Sequence, residues 1–320
     1  MRGPLLRATA HGLTGLAALV VLAWVTGHLL SDRAAWSQWL LWLPTPAALG
    51  AALGALALAL RPARTRALRR RRIAAWAAAA AFLATTFALV EHRLLRPAPA
   101  REGFMVVHWN VSEHLIDVGT PFDERLRGWD ADLTILTDAN WTPWRAEMRD
   151  WLGEEHHPRQ RRPFAILTRH PIVALRTLAR ADDISLVLLE IETPVIPDRP
   201  LVMLLVDLPS EPRLPRHAIA ARARRYLAEA EAPEPDVVIG DFNMTRGSAS
   251  ARSIFPGMRH AFRDGGHGYV ATFPRAVPLY HIDHVLLAGT VRAARYDVID
   301  AGFGRHRAQM VWLKGRDVTR

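Results

Sequence analysis

The stretch VVIGDFN, residues 237–243, places a carboxylate and an amide directly after a short apolar run. Two valines and an isoleucine followed by Gly240 predict a buried β-strand that ends in a tight turn. Asp241 and Asn243 occupy alternate positions, so both side chains point the same way at the end of the strand. Open α/β sheets build their sites at such strand ends, but an ordinary Asp–Asn turn is also compatible with this stretch alone.

Short strand-like runs of apolar residues continue through the C-terminal two-thirds of the chain. One helical stretch, at about 216–231, separates two of them. Because so few helices intervene, we expect an α/β fold in which sheet packs on sheet and helices flank both. The predicted strands are FMVVHWNV, DLTILTD, FAILTR, PIVALRTL, ISLVLLEIET, LVMLLVDL, VVIGDFN, IDHVLLAG and QMVWLK.

Three uncharged apolar segments occupy the first hundred residues, at about 12–30, 36–60 and 73–90. Each is close to the roughly 20 residues that an α-helix needs to cross a bilayer. The core helices of a large soluble α domain are the alternative, which the Arg-rich block between the segments disfavours. The predicted organisation is a membrane domain with three transmembrane helices at 1–96, a linker at 97–103 and a second domain at 104–320.

The distribution of arginine sets the predicted orientation in the membrane. The linker RPARTRALRRRR, residues 61–72, carries seven arginines beside two apolar segments. Short loops of this kind stay cytoplasmic, and Arg2 and Arg7 keep the N-terminus on the same side. After three crossings, the second domain lies on the extracytoplasmic face of the cell (inner) membrane, with the lipid bilayer as a partner.

The formal charge of +10 belongs entirely to the first third of the chain. Residues 1–100 hold twelve arginines against Asp32 and Glu91, so the remainder is electrically neutral. A nucleic-acid partner is therefore possible but not favoured, because a DNA-binding surface needs local excess positive charge. The chain has no cysteine, which excludes disulfides, thiolate metal sites and a Cys nucleophile.

Seven motifs in order resemble the endonuclease/exonuclease/phosphatase superfamily, and most closely its bacterial members that carry this domain behind a few transmembrane helices. The motifs are VVHWNV, DLTILTD, FAILTRHPI, LVDLPS, VVIGDFN, YHIDHVLL and GRHRAQMVWL. GDFN and the IDHVLL strand are the most specific, and the resemblance covers about residues 104–315. It implies a two-sheet α/β sandwich that hydrolyses phosphate esters with a divalent metal, usually Mg²⁺ or Mn²⁺.

The resemblance also implies catalytic roles for four residues. Asp241 matches the residue that positions or deprotonates the attacking water, and Asn243 the residue that holds this water and the phosphoryl oxygen. His306 matches the catalytic histidine that contacts the scissile phosphate, and Asp283 matches its orienting partner. An aspartate that holds one tautomer of a histidine is physically sensible. Alternatively, Asn243 caps a turn and Asp283 belongs to a surface polar cluster.

The predicted metal ligands are Asn110 and Asp138, at the ends of their strands. Hard cations prefer such carboxylate and amide oxygens. Asp138 stands where the family has glutamate, so the carboxylate is one methylene shorter. Asn110 alone is also compatible with a local turn cap.

Two further departures from the family affect the substrate side of the site. Asp207 replaces a group that contacts phosphate as a donor, and it would repel the substrate unless it is protonated or moved to the metal. Arg305 replaces an acidic residue that helps to hold the metal. Its guanidinium either binds phosphate directly or excludes the cation.

Other histidines suggest a second type of site. His281 and His284, three residues apart, suggest zinc, but positions three apart on a strand face opposite sides, which argues against that site. The remaining histidines have no motif and are expected to be surface or structural: His108, His114, His156, His157 and His217.

We therefore expect a membrane-anchored, extracytoplasmic, metal-dependent phosphoesterase that hydrolyses a phosphodiester or a phosphomonoester. The alternative is a catalytically impaired phosphoester-binding domain, with Arg305 and Asp207 as its signature. Specificity is expected in the loops at 113–124, 141–163 and 246–268, because function does not follow from the fold alone. The sequence leaves the substrate and the oligomeric state open.

Overall fold

The chain divides into two compact units. The first contains the N-terminal helices up to Leu95 together with residues 247–249, and the second contains the remainder from Arg96 onward. The assignment of the first unit to a membrane domain, and of residues 97–103 to a linker, stays a prediction. The computed structural model describes residues 2–63, 65–112, 120–139 and 159–316.

The described part of the first unit forms four α-helices, the last of which continues as a π-helix. They are α1 (Arg2–Leu30), α2 (Ser37–Leu41), α3 (Thr45–Ala59), α4 (Arg66–Thr85) and the π-helical turn Thr86–Glu91. Alanines at three- and four-residue spacing bury one side of α3 (Ala48, Ala52, Ala55 and Ala59). Small residues of this kind let helices approach closely, and Ala48 and Ala52 share a cluster with Trp24 of α1 and Leu83 of α4.

Two of these helices are long and apolar enough to cross a membrane, Ala8–Leu30 and Arg66–Glu91. A signal sequence or the core helix of a soluble protein passes the same test of length and composition. A core helix is mostly buried, however, whereas only 17% and 11% of the most apolar stretches of these two helices are buried.

The second predicted transmembrane segment, at about 36–60, is not one continuous helix. Residues 36–60 are divided between α2 and α3, and Pro44 between them has an extended backbone, with ψ of 142°. Proline lacks the N–H that a helix interior requires and disfavours helix at the residue before it. Helix α3 is about 22 Å long at 1.5 Å per residue, less than the roughly 30 Å of a hydrocarbon core.

The second unit is a sandwich of two six-stranded sheets. The first contains β1 (Phe104–Asn110), β2 (Leu133–Thr137), β3 (Arg159–Arg161), β4 (Phe164–Thr168), β11 (Val291–Ile299) and β12 (Ala308–Gly315), in the order β11-β12-β1-β2-β4-β3. The second contains β5 (Ile172–Ala181), β6 (Ile184–Ile191), β7 (Leu201–Asp207), β8 (Val237–Asp241), β9 (Arg259–His260) and β10 (Asp283–Leu287), in the order β5-β6-β7-β8-β10-β9. The helices are α5 (Thr120–Trp129), α6 (Arg216–Glu229), α7 (Ala249–Ile254) and α8 (Ala261–Gly265).

Alternate residues of the strands form the core between the sheets. Val106 of β1, Ile135 of β2, Leu205 of β7 and Ile239 of β8 are all fully buried there. The opposite faces are covered by helices: α6 packs Ile219 and Ala223 on the second sheet, and α5 packs Phe122 and Leu126 on the first. The predicted α/β sandwich is thus confirmed, and the predicted helix at 216–231 is α6.

Three strands were absent from the sequence prediction: β3, β9 and β11. Strands β3 and β9 are only three and two residues long. Strand β11, VRAARYDVI, lies at the edge of its sheet, and a bulge between Ala293 and Arg295 interrupts its period-two alternation.

Parallel pairing brings the functional strand ends together. In the first sheet, β1 runs parallel to β2 with Asn110 opposite Thr137. In the second, β7 runs parallel to β8 with Asp207 opposite Asp241. Strand β10 is antiparallel to β8 and begins with Asp283 opposite Asp241. Three carboxylates therefore lie side by side on adjacent strands.

Gly240 permits this close pairing. Its φ is +152°, and a Cβ there would lie 1.8 Å from the carbonyl oxygen of Val206 on β7. Because the paired β7 backbone cannot withdraw, we expect Gly240→Ala to lower the free energy of unfolding by about 3 kcal/mol or more, or to prevent folding.

The matched control is Gly257→Ala, at a position with φ of +86° and no atom within 4 Å of the added Cβ. It carries the backbone strain without the clash, so a loss of about 1 kcal/mol is expected. The measurement is denaturant unfolding of the full-length chain in detergent, followed by tryptophan fluorescence. Equal losses in the two variants would contradict the explanation.

Candidate active site

Asp241 lies at the centre of the predicted site, at the last position of β8 and almost fully buried. The Asn110 side chain donates from Nδ2 to Asp241 Oδ2 at 2.8 Å, and the backbone N–H of Asn243 donates to Oδ1 at 2.9 Å. Since Asn110 ends β1, its hydrogen bond joins the two sheets at their functional edge.

The residues after β8 form a turn and also belong to the candidate site. Asn243 adopts a left-handed conformation with φ of +49°, which asparagine tolerates better than most residues. Its side chain donates to the carbonyl oxygen of Leu208, just beyond β7, at 2.8 Å. The Asp–Asn turn therefore exists, and it aligns Asp241 and Asn243 with the end of the neighbouring strand.

His306 is paired with Asp283, as the sequence predicts. His306 Nδ1 donates to Asp283 Oδ2 at 2.9 Å, and His306 Nε2 lies 3.8 Å from Asp241 Oδ2. Both partners are buried, and the His306 ring packs on Phe273 with centroids 4.8 Å apart. One possible ligand atom from each of Asp241, Asp283 and His306 lies within 4.8 Å of the others, a spacing at which a metal ion could be shared once His306 is neutral.

Burial and mutual charge give the three groups different protonation states. Burial and the negative charge of Asp283 raise the pKa of Asp241 to about 7. Burial alone would lower the pKa of His306, but the charge and hydrogen bond of Asp283 raise it to about 9. Burial opposes ionisation of Asp283, yet His306 outweighs it and lowers the Asp283 pKa. Near neutral pH, His306 is a cation beside an ionised Asp283, and Asp241 can gain or lose a proton.

The part of the chain that forms this site also matches a known protein family. Residues 107–305 match the family described as Endonuclease/Exonuclease/phosphatase family. The chain belongs to this family. Its members are generally hydrolases that act on phosphate esters, and they typically use divalent metal ions.

No curated protein matches the chain. Three solved structures illustrate how distant the similarity is. An endonuclease/exonuclease/phosphatase from Bacteroides vulgatus is 15% identical, with 67% of this chain and 99% of that chain covered and a TM-score of 0.49. A mannosyl-6-phosphatase from Bacteroides thetaiotaomicron VPI-5482 is 13% identical, with coverages of 66% and 99% and a TM-score of 0.46. A functionally unknown protein from Enterococcus faecalis V583 is 16% identical, with coverages of 66% and 100% and a TM-score of 0.47.

The donor set of this family domain fits a hard divalent cation. The predicted ligands Asn110 and Asp138 follow adjacent parallel strands, and Asp241 is hydrogen-bonded to Asn110. Asp283 Oδ1 is buried without a hydrogen-bond partner in the described residues. Burial, and then the charges of neighbouring carboxylates, raise the pKa values of Asp207 and Asp241, and a dication beside them would favour their ionised forms.

Asp207 departs from the family pattern in a way that the structure clarifies. Burial is the main cause that raises its pKa well above the ordinary range, and the charges of Asp241 and Asp138 add to it. A raised pKa favours the neutral form of Asp207, in which the carboxyl carries an O–H. In that form Asp207 does not repel phosphate, in line with the protonated alternative considered from the sequence.

Arg305, the predicted substrate-binding residue, lies at the rim of the site and not within the buried cluster. Its side chain is exposed, with Cζ 5.7 Å from the centre of the Phe273 ring. Its positive charge lowers the pKa of His306, but less than Asp283 and Asp241 raise it. The guanidinium thus contributes charge near His306 without joining its hydrogen bonds.

A buried polar chain beneath the site was missed by sequence reasoning. Each donor in it has one acceptor: His281 Nε2–H to Tyr296 Oη at 2.9 Å, Tyr296 O–H to Gln309 Oε1 at 2.5 Å, Gln309 Nε2–H to His108 Nδ1 at 2.9 Å, and His108 Nε2–H to Thr137 Oγ1 at 2.8 Å. Burial lowers the pKa of His108 to about 4, so the ring is neutral. The only sequence signal is polar residues at inward positions of β1, β2 and β12.

The argument against contact between His281 and His284 is wrong. Strand β10 begins only at Asp283, so His281 lies outside the regular alternation, and the two rings stack with centroids 5.4 Å apart. His260, at the end of β9, meets both. Of the other histidines, His217 is exposed on α6, as expected.

Several predicted features lie outside the described residues. They are His114, His156, His157, most of the loop at 113–124 and most of the loop at 141–163.

The pairing of Asp283 with His306 predicts a measurable pKa change. Asp283→Asn removes the charge that holds the proton on His306, so the His306 pKa should fall from about 9 by at least about one unit. NMR titration of the histidine ring signals in metal-free protein measures it, with the signal assigned by its loss in His306→Ala. Asp198→Asn, which removes an exposed carboxylate before β7, is the control and should leave the value unchanged.

The same pKa values determine how stability depends on pH. The folded pKa of His306 lies above its ordinary 6.5, so its contribution is fully present below about pH 6.5 and is lost as pH rises through about 9. Asp241, whose pKa is raised from 3.8 to about 7, acts in the same direction at lower pH. Unfolding of metal-free protein should therefore require less denaturant at pH 9 than at pH 6.5. A rise in stability over that interval would contradict the assigned protonation states.

Proposed function

We propose that the protein is a membrane-anchored, extracytoplasmic, metal-dependent phosphoesterase that hydrolyses a phosphodiester or phosphomonoester. The observation that carries this proposal is the buried cluster of Asp241, Asp283 and His306, joined through hydrogen bonds to Asn110 and Asn243. A structural ion pair needs one carboxylate, whereas this cluster holds a second carboxylate with a pKa near neutral. Perturbed groups of this kind concentrate at functional sites.

In the proposed reaction, His306 and Asp241 divide the proton transfers. Ionised Asp241 accepts a proton from the attacking water, since a pKa of about 7 suits a general base at neutral pH. The His306 imidazolium faces the phosphoryl oxygen or the leaving oxygen and supplies a charge-assisted hydrogen bond or a proton. Asp283 holds the His306 tautomer through Nδ1, so that Nε2 faces the substrate.

Three neutral side chains position the reacting groups in this proposal. Asn110 holds Asp241 through its amide N–H, which keeps the carboxylate aligned with its water. Asn243 lies beside Asp241 and orients the water and a phosphoryl oxygen. Protonated Asp207, in register with Asp241, donates a hydrogen bond to phosphate in place of the donor that the family has there.

Asn110 and Asp138 would hold the divalent metal, Mg²⁺ or Mn²⁺, with Asp241 beside them. When bound, the metal supplies positive charge to the phosphoryl oxygens and makes a coordinated water more acidic. Aspartate in place of the family's glutamate retains an oxygen donor of the kind that these cations prefer.

The substrate class follows from charge and location. The second unit is near neutral overall, whereas a polymeric nucleic acid demands a groove of concentrated positive charge. Anchoring at a bilayer favours a phospholipid headgroup or a small phosphate ester. We therefore place nucleic acid second among the candidate substrates.

The first test is hydrolysis by the full-length chain in detergent of an aryl phosphodiester and an aryl phosphomonoester. We expect activity with Mg²⁺ or Mn²⁺ that chelator abolishes. His306→Ala should lower kcat/KM by about 10²–10⁴-fold because it removes the proton donor. His217→Ala, on the exposed face of α6, is the matched control and should retain full activity. Turnover that is indifferent to chelator and to His306→Ala would overturn the proposal.

A second candidate function is phosphoester binding without hydrolysis. Arg305 favours it, because a guanidinium stands where the family has a metal-binding acid, and its side chain lies near the Phe273 ring that packs on His306. The Arg305→Asp variant separates the two functions. Activity that appears only in this variant would identify a binding domain on a disarmed hydrolase, whereas activity in the natural sequence identifies the enzyme.

The extracytoplasmic location depends on the number of crossings. Arginines at 61–72 remain cytoplasmic under the positive-inside rule only if the broken segment from Ser37 to Ala59 crosses between α1 and α4. Transmembrane helices that break at proline are tolerated where neighbouring helices satisfy the backbone. The proposal is therefore three crossings, the second interrupted at Pro44.

Because the natural chain has no cysteine, single-cysteine variants test this topology directly. Ala67→Cys lies in the Arg-rich block and Ser210→Cys in the second unit, and both positions are exposed. We expect a membrane-impermeant maleimide to label Ser210→Cys in intact spheroplasts and Ala67→Cys only after permeabilisation. The reverse pattern, or labelling of both without permeabilisation, contradicts the orientation.

A further inference from the structure

Three histidines from separate segments converge beside the active site. His260 ends β9, His281 precedes β10, and His284 is the second residue of β10. A nitrogen of each lies within 4.8 Å of the others, and His260 Nε2 is 3.1 Å from His284 Nδ1. Two imidazole nitrogens on one tetrahedral zinc ion stand about 3.4 Å apart, because each Zn–N bond is about 2.1 Å. The spacing of this pair is close to that value.

In His284 and His281, a hydrogen bond made by Nε2, the nitrogen that faces away from the other rings, sets the tautomer. His284 Nε2–H donates to the carbonyl oxygen of Met244 at 2.7 Å, so Nδ1 carries its lone pair towards His260. Tyr296 donates its own proton to Gln309, so its oxygen accepts from His281 Nε2–H, and His281 Nδ1 also carries a lone pair. Metal-binding histidines are held in this way, by a carbonyl or other acceptor on the nitrogen that does not bind.

The Nε2 proton of His260 lies between the His260 and His284 rings. Its Nδ1 accepts from the backbone N–H of Phe262 at 3.1 Å, so Nε2–H donates to His284 Nδ1. A metal ion bound at Nε2 requires the other tautomer, with the proton on Nδ1 and no net proton release. In that tautomer Nδ1–H and the Phe262 N–H are both donors, so the His260 ring has to turn away from Phe262. The cost is this hydrogen bond and the movement of the ring, against three metal–nitrogen bonds.

We propose that His260, His281 and His284 form a second metal site, which takes a transition-metal dication such as Zn²⁺. The donor set consists of imidazole nitrogens, which suit Zn²⁺, Co²⁺, Ni²⁺ or Cu²⁺ and not the hard cations Mg²⁺ and Ca²⁺. The Arg246 guanidinium lies near these rings, over Phe262, and its charge disfavours any cation that is held weakly. The site thus selects metals that bond strongly to imidazole.

Its place in the fold gives the metal a positioning role. His281 and His284 flank Asp283, and His260 leads into α8. A bound ion would link β9 to β10 and hold the segment that presents Asp283 to His306. The buried polar chain continues from His281 to Thr137, at the end of β2, so the same ion would steady the floor of the active site.

The test uses Co²⁺ uptake by the full-length chain in detergent, stripped of metal, free of any polyhistidine tag and held in excess Mg²⁺. We expect one equivalent of Co²⁺ with the visible absorption of a tetrahedral nitrogen site, and a higher Tm. His260→Gln and His281→Gln should each lose this uptake. His217→Gln, exposed on α6, and His306→Ala, in the active site, should retain it.

A measurement on the unaltered protein covers the case in which a variant fails to fold. Zn²⁺ should shift the ring ¹⁵N signals of three histidines, and those of His306 should not be among them. No Co²⁺ uptake under Mg²⁺, uptake unchanged in His260→Gln, or loss of uptake in His306→Ala would each overturn the proposal. Since the readout is metal uptake, an inactive hydrolase would leave this result intact.

Discussion

The crowding of three neighbouring carboxylates, two of them buried and the third partly buried, is the constraint on which the rest of the second unit depends. Strand register alone places Asp207, Asp241 and Asp283 side by side, where like charges repel and where Asp241 and Asp283 are shielded from water. Buried charge persists only where it is neutralised, paired or hydrogen-bonded. The structure uses all three devices: Asp283 ionises against His306, a raised pKa favours the neutral form of Asp207, and Asp241 takes hydrogen bonds from Asn110 and Asn243. In the proposed reaction, this division of roles would supply an acid, a base and a site for a cation.

Polar groups between the sheets extend this arrangement into the core. A row of inward side chains, His108, Gln309 and Tyr296, replaces apolar packing beneath the site, and each group has a partner of matching direction. Such a network is stabilising only when every member is satisfied, so it favours one arrangement of β1, β11 and β12. It also runs from His281 of the three histidines to Thr137, the residue before the predicted metal ligand Asp138. The two proposed metal sites differ in chemistry, with oxygen donors in one and nitrogen donors in the other, and so would take different metals.

The N-terminal unit depends on a different kind of packing. Alanine dominates the buried side of α3, and Trp24 of α1 donates from Nε1 to Thr45 at 3.0 Å. Thr45 in turn donates to Glu91 at 2.6 Å, so the start of α3 is tied to helices on both sides of it. Pro44 breaks the apolar segment immediately before this point, and the contacts of Thr45 compensate at the helix that follows. Hydropathy measures only composition along the chain, and so it treats residues 36–60 as one uninterrupted helix.

Period-two alternation and turn residues were enough to predict the strands of the sandwich. All nine apolar runs found in the sequence are strands, and VVIGDFN ends where Asp241 and Asn243 enter the candidate site. The seven motifs in order also identified Asn110, Asp283 and His306, which the fold does bring together. Tertiary structure alone decided the rest. The raised pKa of Asp207 depends on burial and on the charges of Asp241 and Asp138. The meeting of His260 with His281 and His284 depends on where β10 begins. The exposed position of Arg305 beside Phe273 is likewise set by the fold. The alternation of side chains along a strand can be recognised in local sequence. The pKa values, and which side chains meet at a site, depend on contacts between residues far apart in the chain.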